Sequence, residues 1–236
     1  MSDVTASDMT VSDVTAVALS PRDVTLAVIA KTPRPGRVKT RLCPPCSPEQ
    51  AAAIATAALR DTLDAVAATA VGRRTVVLDG PTPGWIPAGF DVVAQRGGGL
   101  DERLATAFVD VGGPTVIIGM DTPQVTAELL DDVLTRLCAP GVDAVLGPAN
   151  DGGYWVIGLR RPNPAALAGV PMSVAHTHAA QRARLDELGL STGAVPQLTD
   201  LDTFDEAVEV AAVATGMRFR RAVELVVQDL GSGAER

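Results

Sequence analysis

From residue 24 onward, short apolar runs alternate with longer stretches in which apolar residues recur every three or four positions. The short runs, at 24–30, 75–78, 91–94, 115–119, 144–146 and 154–157, have strand length and are rich in Val and Ile. The longer ones predict helices near 100–109, 126–137, 179–188 and 203–214, with a last amphipathic helix over about 219–230. The first helix announces itself most clearly. Ser47 stands as N-cap, Pro48 at the first helical position and Gln50 three residues on, while Ile54, Leu59, Leu63 and Val66 supply a buried stripe. Strand-length and helix-length segments in regular alternation predict an α/β fold, a mostly parallel central sheet with helices on both faces.

Residues 1–21 follow a different rule. Ser2-Asp3-Val4-Thr5, Ser7-Asp8-Met9-Thr10 and Ser12-Asp13-Val14-Thr15 repeat a polar, acidic theme without aromatic residues. Such a segment buries too little apolar surface to offset its ordering entropy, so it reads as a disordered tail ahead of one domain over 22–236.

Charge narrows the function classes. With 20 basic against 28 acidic residues, the net charge of −8 argues against a protein that coats nucleic acid or an anionic membrane. No apolar run approaches the roughly 20 residues that span a bilayer, and the N-terminus lacks a basic region followed by a hydrophobic stretch; the expected compartment is the cytoplasm. Cys43, Cys46 and Cys138 are too few for a disulfide scaffold. Cys43-Pro44-Pro45-Cys46 is a CxxC, but no second pair exists and His176 and His178 lack zinc-site spacing, so the pair reads as incidental.

Against this acidic background, Lys31 to Arg41 carries five positive charges and no negative one, and it holds both lysines of the chain, Lys31 and Lys39. It directly follows the first strand, where open α/β sheets place ligands, and Lys31, Arg37, Lys39 and Arg41 suit polyphosphate oxygens. Gly-x-x-x-x-Gly-Lys-Ser/Thr is absent, which argues against P-loop chemistry. Asp121 emerges from the strand that ends at Gly119, in a turn stiffened by Pro123, and Thr126 is the better cap for the helix that follows. A carboxylate so placed suits magnesium or manganese. Asp202 is the candidate second ligand and Asp200 the lesser one, since they precede a capping box formed by Thr203 and Glu206. Asp151-Gly152-Gly153-Tyr154-Trp155 is the densest motif: the glycines let backbone approach a ligand, Asp151 orients a hydroxyl or assists a metal, and the two aromatic rings offer a wall for a sugar or base. Gln95 and Gly98, in a glycine-rich turn, are candidates for a base edge or a phosphate.

Taken in order, the 30–42 segment, Gly119-Met120-Asp121-Thr122-Pro123, the 147–159 segment around Asp-Gly-Gly-Tyr-Trp, and Asp200-Leu201-Asp202-Thr203 resemble a bacterial glycosyltransferase-like family of the GT-A superfamily, the radical-SAM/selenodomain-associated transferase type. The resemblance covers about 24–215. It implies a single-domain nucleotide-diphospho-sugar transferase fold, with the basic loop on the donor phosphates and a metal at Asp121. Asp121-Thr122-Pro123 replaces the usual Asp-x-Asp and is closer to the Asp-x-Pro of nucleotidyltransferases, and 170–173 departs from the family's Trp-Ser. The expectation is a magnesium- or manganese-dependent enzyme in which Asp121, Asp151 and Asp202 act on a nucleoside-diphosphate sugar and a small-molecule acceptor. Nucleotidyl transfer with pyrophosphate release is the rival, and a non-catalytic nucleotide-binding module the alternative of another class.

Overall fold

The computed structural model describes residues 18–233. In chain order the main elements are β1 (Thr25–Lys31), α1 (Pro48–Ala68), β2 (Arg73–Asp79), β3 (Asp91–Ala94), α2 (Leu100–Val111), β4 (Thr115–Gly119), α3 (Ala127–Cys138), β5 (Ala144–Pro148), β6 (Tyr154–Leu159), α4 (Thr177–Glu187), β7 (Thr192–Ala194), α5 (Phe204–Val213) and α6 (Met217–Gly233). The strands form one sheet in the order β3-β2-β1-β4-β6-β5-β7. All pairings are parallel except those of β6, which runs antiparallel to β4 and β5.

Helices cover both faces, as the sequence predicts. On one face, Leu59, Leu63 and Val66 of α1 and Leu130, Leu134 and Leu137 of α3 pack against Val28, Val76 and Val116 of the sheet. On the other, Leu104 and Phe108 of α2 and Leu185 of α4 cover Ala27, Ile117 and Ile157. A further layer forms behind α1, where Ile54 and Ala58 meet Val210 of α5 and Phe219 and Val223 of α6. Alternation along each strand sends successive side chains into opposite cores, which is why the strands read as continuous apolar runs. The capping boxes at Ser47/Gln50 and Thr203/Glu206 are both present, and the Thr126 side chain accepts from Leu129 N.

The segment read as a tail lies outside the described residues as far as residue 17. Its last residues belong to the fold: Leu19 packs against the core, and Ser20 precedes a short 3-10 turn at Pro21–Asp23. No helix among the described residues is long and apolar enough to cross a membrane.

The order of the sheet fixes where a ligand goes. The chain leaves β1 toward β2 and β3 and then returns to lay β4 on the other side of β1, so the connections after β1 and β4 diverge at the carboxyl ends of neighbouring strands. That divergence opens a crevice, the topological switch point at which open α/β sheets bind ligands.

Candidate active site

The basic loop leaves β1 on one side of this crevice and Asp121 leaves β4 on the other. Because β6 is antiparallel to β4, with Ile118 opposite Val156, the residues that precede β6 lie beside the end of β4, and this brings Asp151 to the same edge. The 198–202 segment is strung across both: Leu198 bridges to Ala149, Asp200 N donates to Asn150 Oδ1 at 3.0 Å, and Leu201 N donates to the Asp121 carbonyl at 3.0 Å. Four aspartates from three distant stretches of sequence therefore meet at one end of a cleft of about 650 Å³.

Within it, Asp151, Asp200 and Asp202 each offer an oxygen within 4.8 Å of the others. Asp121 stands beside them, joined through Lys39: the Lys39 ammonium lies 2.8 Å from Asp121 Oδ1 and 3.5 Å from Asp202 Oδ1, and donates to the Leu201 carbonyl. Arg41 Nη1 holds the other Asp202 oxygen at 2.7 Å. Burial, the largest influence on Lys39, disfavours its charge, but the fields of Asp121, Asp200 and Asp202 and the bond to Asp121 prevail and keep it protonated above the ordinary lysine range. Burial pushes the Asp200 carboxyl up to about 7; Asp121, Asp202 and Asp151 add to the rise, and Lys39 opposes it. Asp200, the lesser candidate from sequence, thus sits inside the cluster, while Asp121 takes part as the partner of Lys39.

This donor set fits a divalent cation. Three carboxylates at such spacing are hard oxygen ligands suited to magnesium or manganese, with room for water or phosphate oxygens to complete the shell. Burial is the main reason the Asp200 carboxyl is raised, with the neighbouring aspartates adding to it, so a cation at this cluster would favour its charged form.

The other sequence candidates divide. Lys31, Arg37, Arg41 and Gln95 line the cleft with Lys39, as do Asp151, Gly153 and Tyr154. Gln95 nonetheless spends its amide N–H groups on the carbonyls of Ala30 at 2.8 Å and Val77 at 3.1 Å, so it ties strand ends together and keeps only its oxygen, 3.5 Å from Arg103 Nη1. Gly98 does not line the cleft: its N–H donates to Glu102 Oε2 at 2.8 Å. Gly152 also departs from its reading as a close approach to ligand. Its φ of +89° and the Ala175 carbonyl, which a Cβ there would meet, show that what approaches it is the 172–177 segment, and the next residue, His178, donates its N–H to the Gly152 carbonyl at 2.8 Å. Trp155 also borders the cleft, but it is only 3% exposed and its indole N–H donates to the Pro196 carbonyl at 2.9 Å, so most of the ring is packed in the core. Tyr154 is half-buried, its hydroxyl set between Gln181 Oε1 at 3.3 Å and the Met172 sulfur at 3.6 Å, and burial pushes its pKa well above the ordinary phenol value.

Residues that the sequence reading did not assign to the site complete the cleft. Arg103 reaches it from the first turn of α2, and Met172, Ser173 and Val174 form the opposite rim. Thr122 has its hydroxyl buried without a hydrogen-bond partner. A cationic residue one turn into a helix that follows a glycine-rich turn was the available signal for Arg103, and the 170–173 departure was the signal for Met172 and Ser173; nothing local marks Val174 or the buried Thr122 hydroxyl. Cys43 and Cys46 are both free, and burial, with Cys43 adding to it, pushes the Cys46 thiol up to about 11, so it stays protonated and unreactive.

Residues 55–174 match the model of a family described as an uncharacterized protein conserved in bacteria, DUF2064, a match that spans half of the chain. The chain belongs to that family. The DUF2064 segment contains Asp121 and Asp151, whereas the basic loop and the Asp200–Asp202 pair lie on either side of it. No curated protein matches this DUF2064 chain by sequence. Among solved structures, a protein from Desulfovibrio desulfuricans G20 described as a nucleotide-diphospho-sugar transferase matches at 24% identity and a TM-score of 0.76, over 89% of this chain and 96% of its own. CMP:2-keto-3-deoxy-manno-octonic acid synthetase complexed with CTP matches at 12% identity and 0.54, over 88% and 99%. The Rv0371c homologue of Mycobacterium sp. strain JC1 matches at 18% and 0.51, over 89% and 99%. The DUF2064 chain thus has a GT-A-like, nucleotide-diphospho-sugar transferase fold.

Proposed function

We propose that this protein is a metal-dependent transferase that takes a nucleoside-diphosphate sugar as donor and a small molecule as acceptor. The observation that carries the reading is the meeting of Lys39 with Asp121 and Asp202 in one cleft, which puts a phosphate-binding loop and a cation-binding cluster within one diphosphate's reach of each other. Asp200, Asp202 and Asp151 would hold magnesium or manganese, with Asp121 beside them; the ion supplies neutralisation of the charge that develops on a diphosphate leaving group. Lys31, Arg37 and Arg41 line the same cleft and, with Lys39, would take the phosphate oxygens. Asp151, the exposed member of the cluster, has one oxygen held by Gly153 N at 2.8 Å, and its exposure supports a role in orienting an acceptor hydroxyl. The D. desulfuricans neighbour, described as a transferase of this kind, supports the donor class.

Nucleotidyl transfer is the second reading, favoured by Asp121-Thr122-Pro123 and by the fold shared with a synthetase that binds CTP. Both reactions neutralise charge at linked phosphates, so one cleft serves either. The proposal extends to the narrower kinship with radical-SAM/selenodomain-associated transferases, on the order of the four motifs, and to a reducing, cytoplasmic compartment, with which three free cysteines agree. The deciding experiment incubates a panel of sugar nucleotides and of nucleoside triphosphates with manganese or with chelator. Manganese-dependent hydrolysis or binding of a sugar nucleotide is expected; pyrophosphate release from a triphosphate in the presence of sugar phosphates would favour the second reading, and failure to bind any nucleotide would end both.

A further inference from the structure

Lys39 is buried at the one place in the cleft where opposite ligand charges must meet. Its side chain is 8% exposed, against 37% for Asp121 and 29% for Asp202. Its backbone holds a φ of +47°, and Ser173, the other non-glycine residue with positive φ among the described residues, lines the same cleft. A lysine in the left-handed region is held there by its surroundings, and this one serves to turn its side chain inward. The ammonium then has three oxygen partners, from Asp121, Asp202 and the Leu201 carbonyl. Arg41, the other cation on Asp202, is 73% exposed and does not depend on the aspartates for solvation.

We propose that Lys39 is an exchangeable counter-cation: it neutralises the aspartates in the ligand-free cleft and passes to a phosphate group when a divalent cation takes them over, so that cation and phosphate ligand bind cooperatively. The inference rests on the cleft holding a cation and a phosphate, as proposed above. A buried ammonium needs an anion and a cluster of carboxylates needs a cation, and in the free protein each satisfies the other. With Asp202 committed to a divalent ion, Lys39 keeps Asp121 at 2.8 Å but loses the attraction of the other aspartates and faces a like charge, so a further anion within reach of its buried side chain is favoured. A phosphate among Lys31, Arg37 and Arg41 is that anion. Linkage makes the effect reciprocal: a phosphate that draws Lys39 away frees carboxylate for the cation.

The chain has only two lysines, so protein labelled with carbon-13 and nitrogen-15 in lysine alone gives two side-chain signals, which Lys31→Arg assigns. Magnesium chloride and inorganic phosphate are the probes. Saturating magnesium is expected to shift the Lys39 signal, phosphate to shift it further, and phosphate to tighten magnesium roughly fivefold or more, the usual range for coupled sites. Lys39→Met is expected to bind magnesium tighter than the wild type by a similar factor without phosphate, and to lose the phosphate effect. A Lys39 signal unmoved by bound magnesium, or a Lys39→Met variant that binds it no more tightly, overturns the proposal while leaving the cation site standing. Absence of magnesium binding overturns both. Should Lys39→Met fail to fold, the wild-type spectra decide alone.

Discussion

Gly152 offers a test of how the cleft wall is built, because two separate costs fall on it. Its φ is +89°, and a Cβ there would stand 2.0 Å from the Ala175 carbonyl oxygen and 2.5 Å from the carbonyl carbon. Ordinary carbon-to-oxygen contacts lie at about 3.3 Å or more, so in Gly152→Ala the backbone at 175 must retreat by more than about 1 Å. The segment is not free to do so, since Gly152 accepts from His178 N at 2.8 Å and Thr177 bonds Val174 in both directions. Gly169 isolates one of the costs: its φ is +77°, but a Cβ there meets nothing within 4 Å. Gly169→Ala should therefore cost only the left-handed strain of an L-residue, about 1 kcal/mol. Gly152→Ala should cost that strain plus the displaced loop, about 3 kcal/mol or more, which for a chain of this size lowers Tm by roughly 6–12 °C. Urea unfolding of the two variants beside the wild type measures the difference. If Gly152→Ala costs no more than Gly169→Ala, the 172–177 segment is not clamped on the glycine and the account of the Asp-Gly-Gly turn is wrong.

Asp61 is the buried anchor of α6, accepting from Phe219 N and from Arg218 Nη1, each at 2.9 Å, so Asp61→Ala should cost about 2–4 kcal/mol by thermal or chemical unfolding while leaving nucleotide binding to the folded protein intact. In chelator, the Asp200 carboxyl at about 7 in the fold stands above its unfolded value of about 3.9. The folded protein then holds the extra proton, and stability declines as pH rises from about 4 to about 7; Asp200→Asn should flatten that decline in pH-dependent unfolding curves. Manganese should raise the wild-type Tm, and Asp202→Asn should abolish most of that rise, as differential scanning fluorimetry would show. Trp155→Phe should lower stability by about 1–2 kcal/mol with little change in nucleotide affinity, because the indole is a core group whose lost bond is to the Pro196 carbonyl.

Much of the fold is legible in the chain because its strands are apolar on both faces and its helices carry explicit caps. Both capping boxes and the Thr126 cap follow from local spacing alone. Thr192-Gly193-Ala194 is not legible as a strand: it has three residues, no apolar run, and pairs with β5 only because the 143 and 191 positions are already joined. The site divides in the same way. The cationic loop and Asp121 announce themselves at strand ends, where position and chemistry coincide. Trp155 is harder to read, because an aromatic residue beside paired glycines looks the same in sequence whether its ring lies open to a ligand or, as here, borders the cleft from within the core. The bare Gly147 of the neighbouring β5 leaves room for the ring, since a Cβ there would meet the indole nitrogen at 2.7 Å.

The choice among the aspartates turns on long-range order. Asp200 and Asp202 are chemically equivalent in sequence, both just ahead of a capping box, and each could have served only the helix. Asp200 is pulled into the cluster by a backbone bond to Asn150, fifty residues earlier, and Asp202 by Lys39 and Arg41 from the first loop. The Lys39 and Arg41 links cross the switch point between β1 and β4, while the Asn150 link ties together loops on the β4 side, so the acidic cluster exists only once the sheet has closed in its final order. An acidic chain would otherwise have little reason to gather four carboxylates around its most basic loop, since dispersing them costs less desolvation. Their convergence on a buried ammonium is a cost in stability that a ligand of both signs, a cation with its phosphates, would relieve.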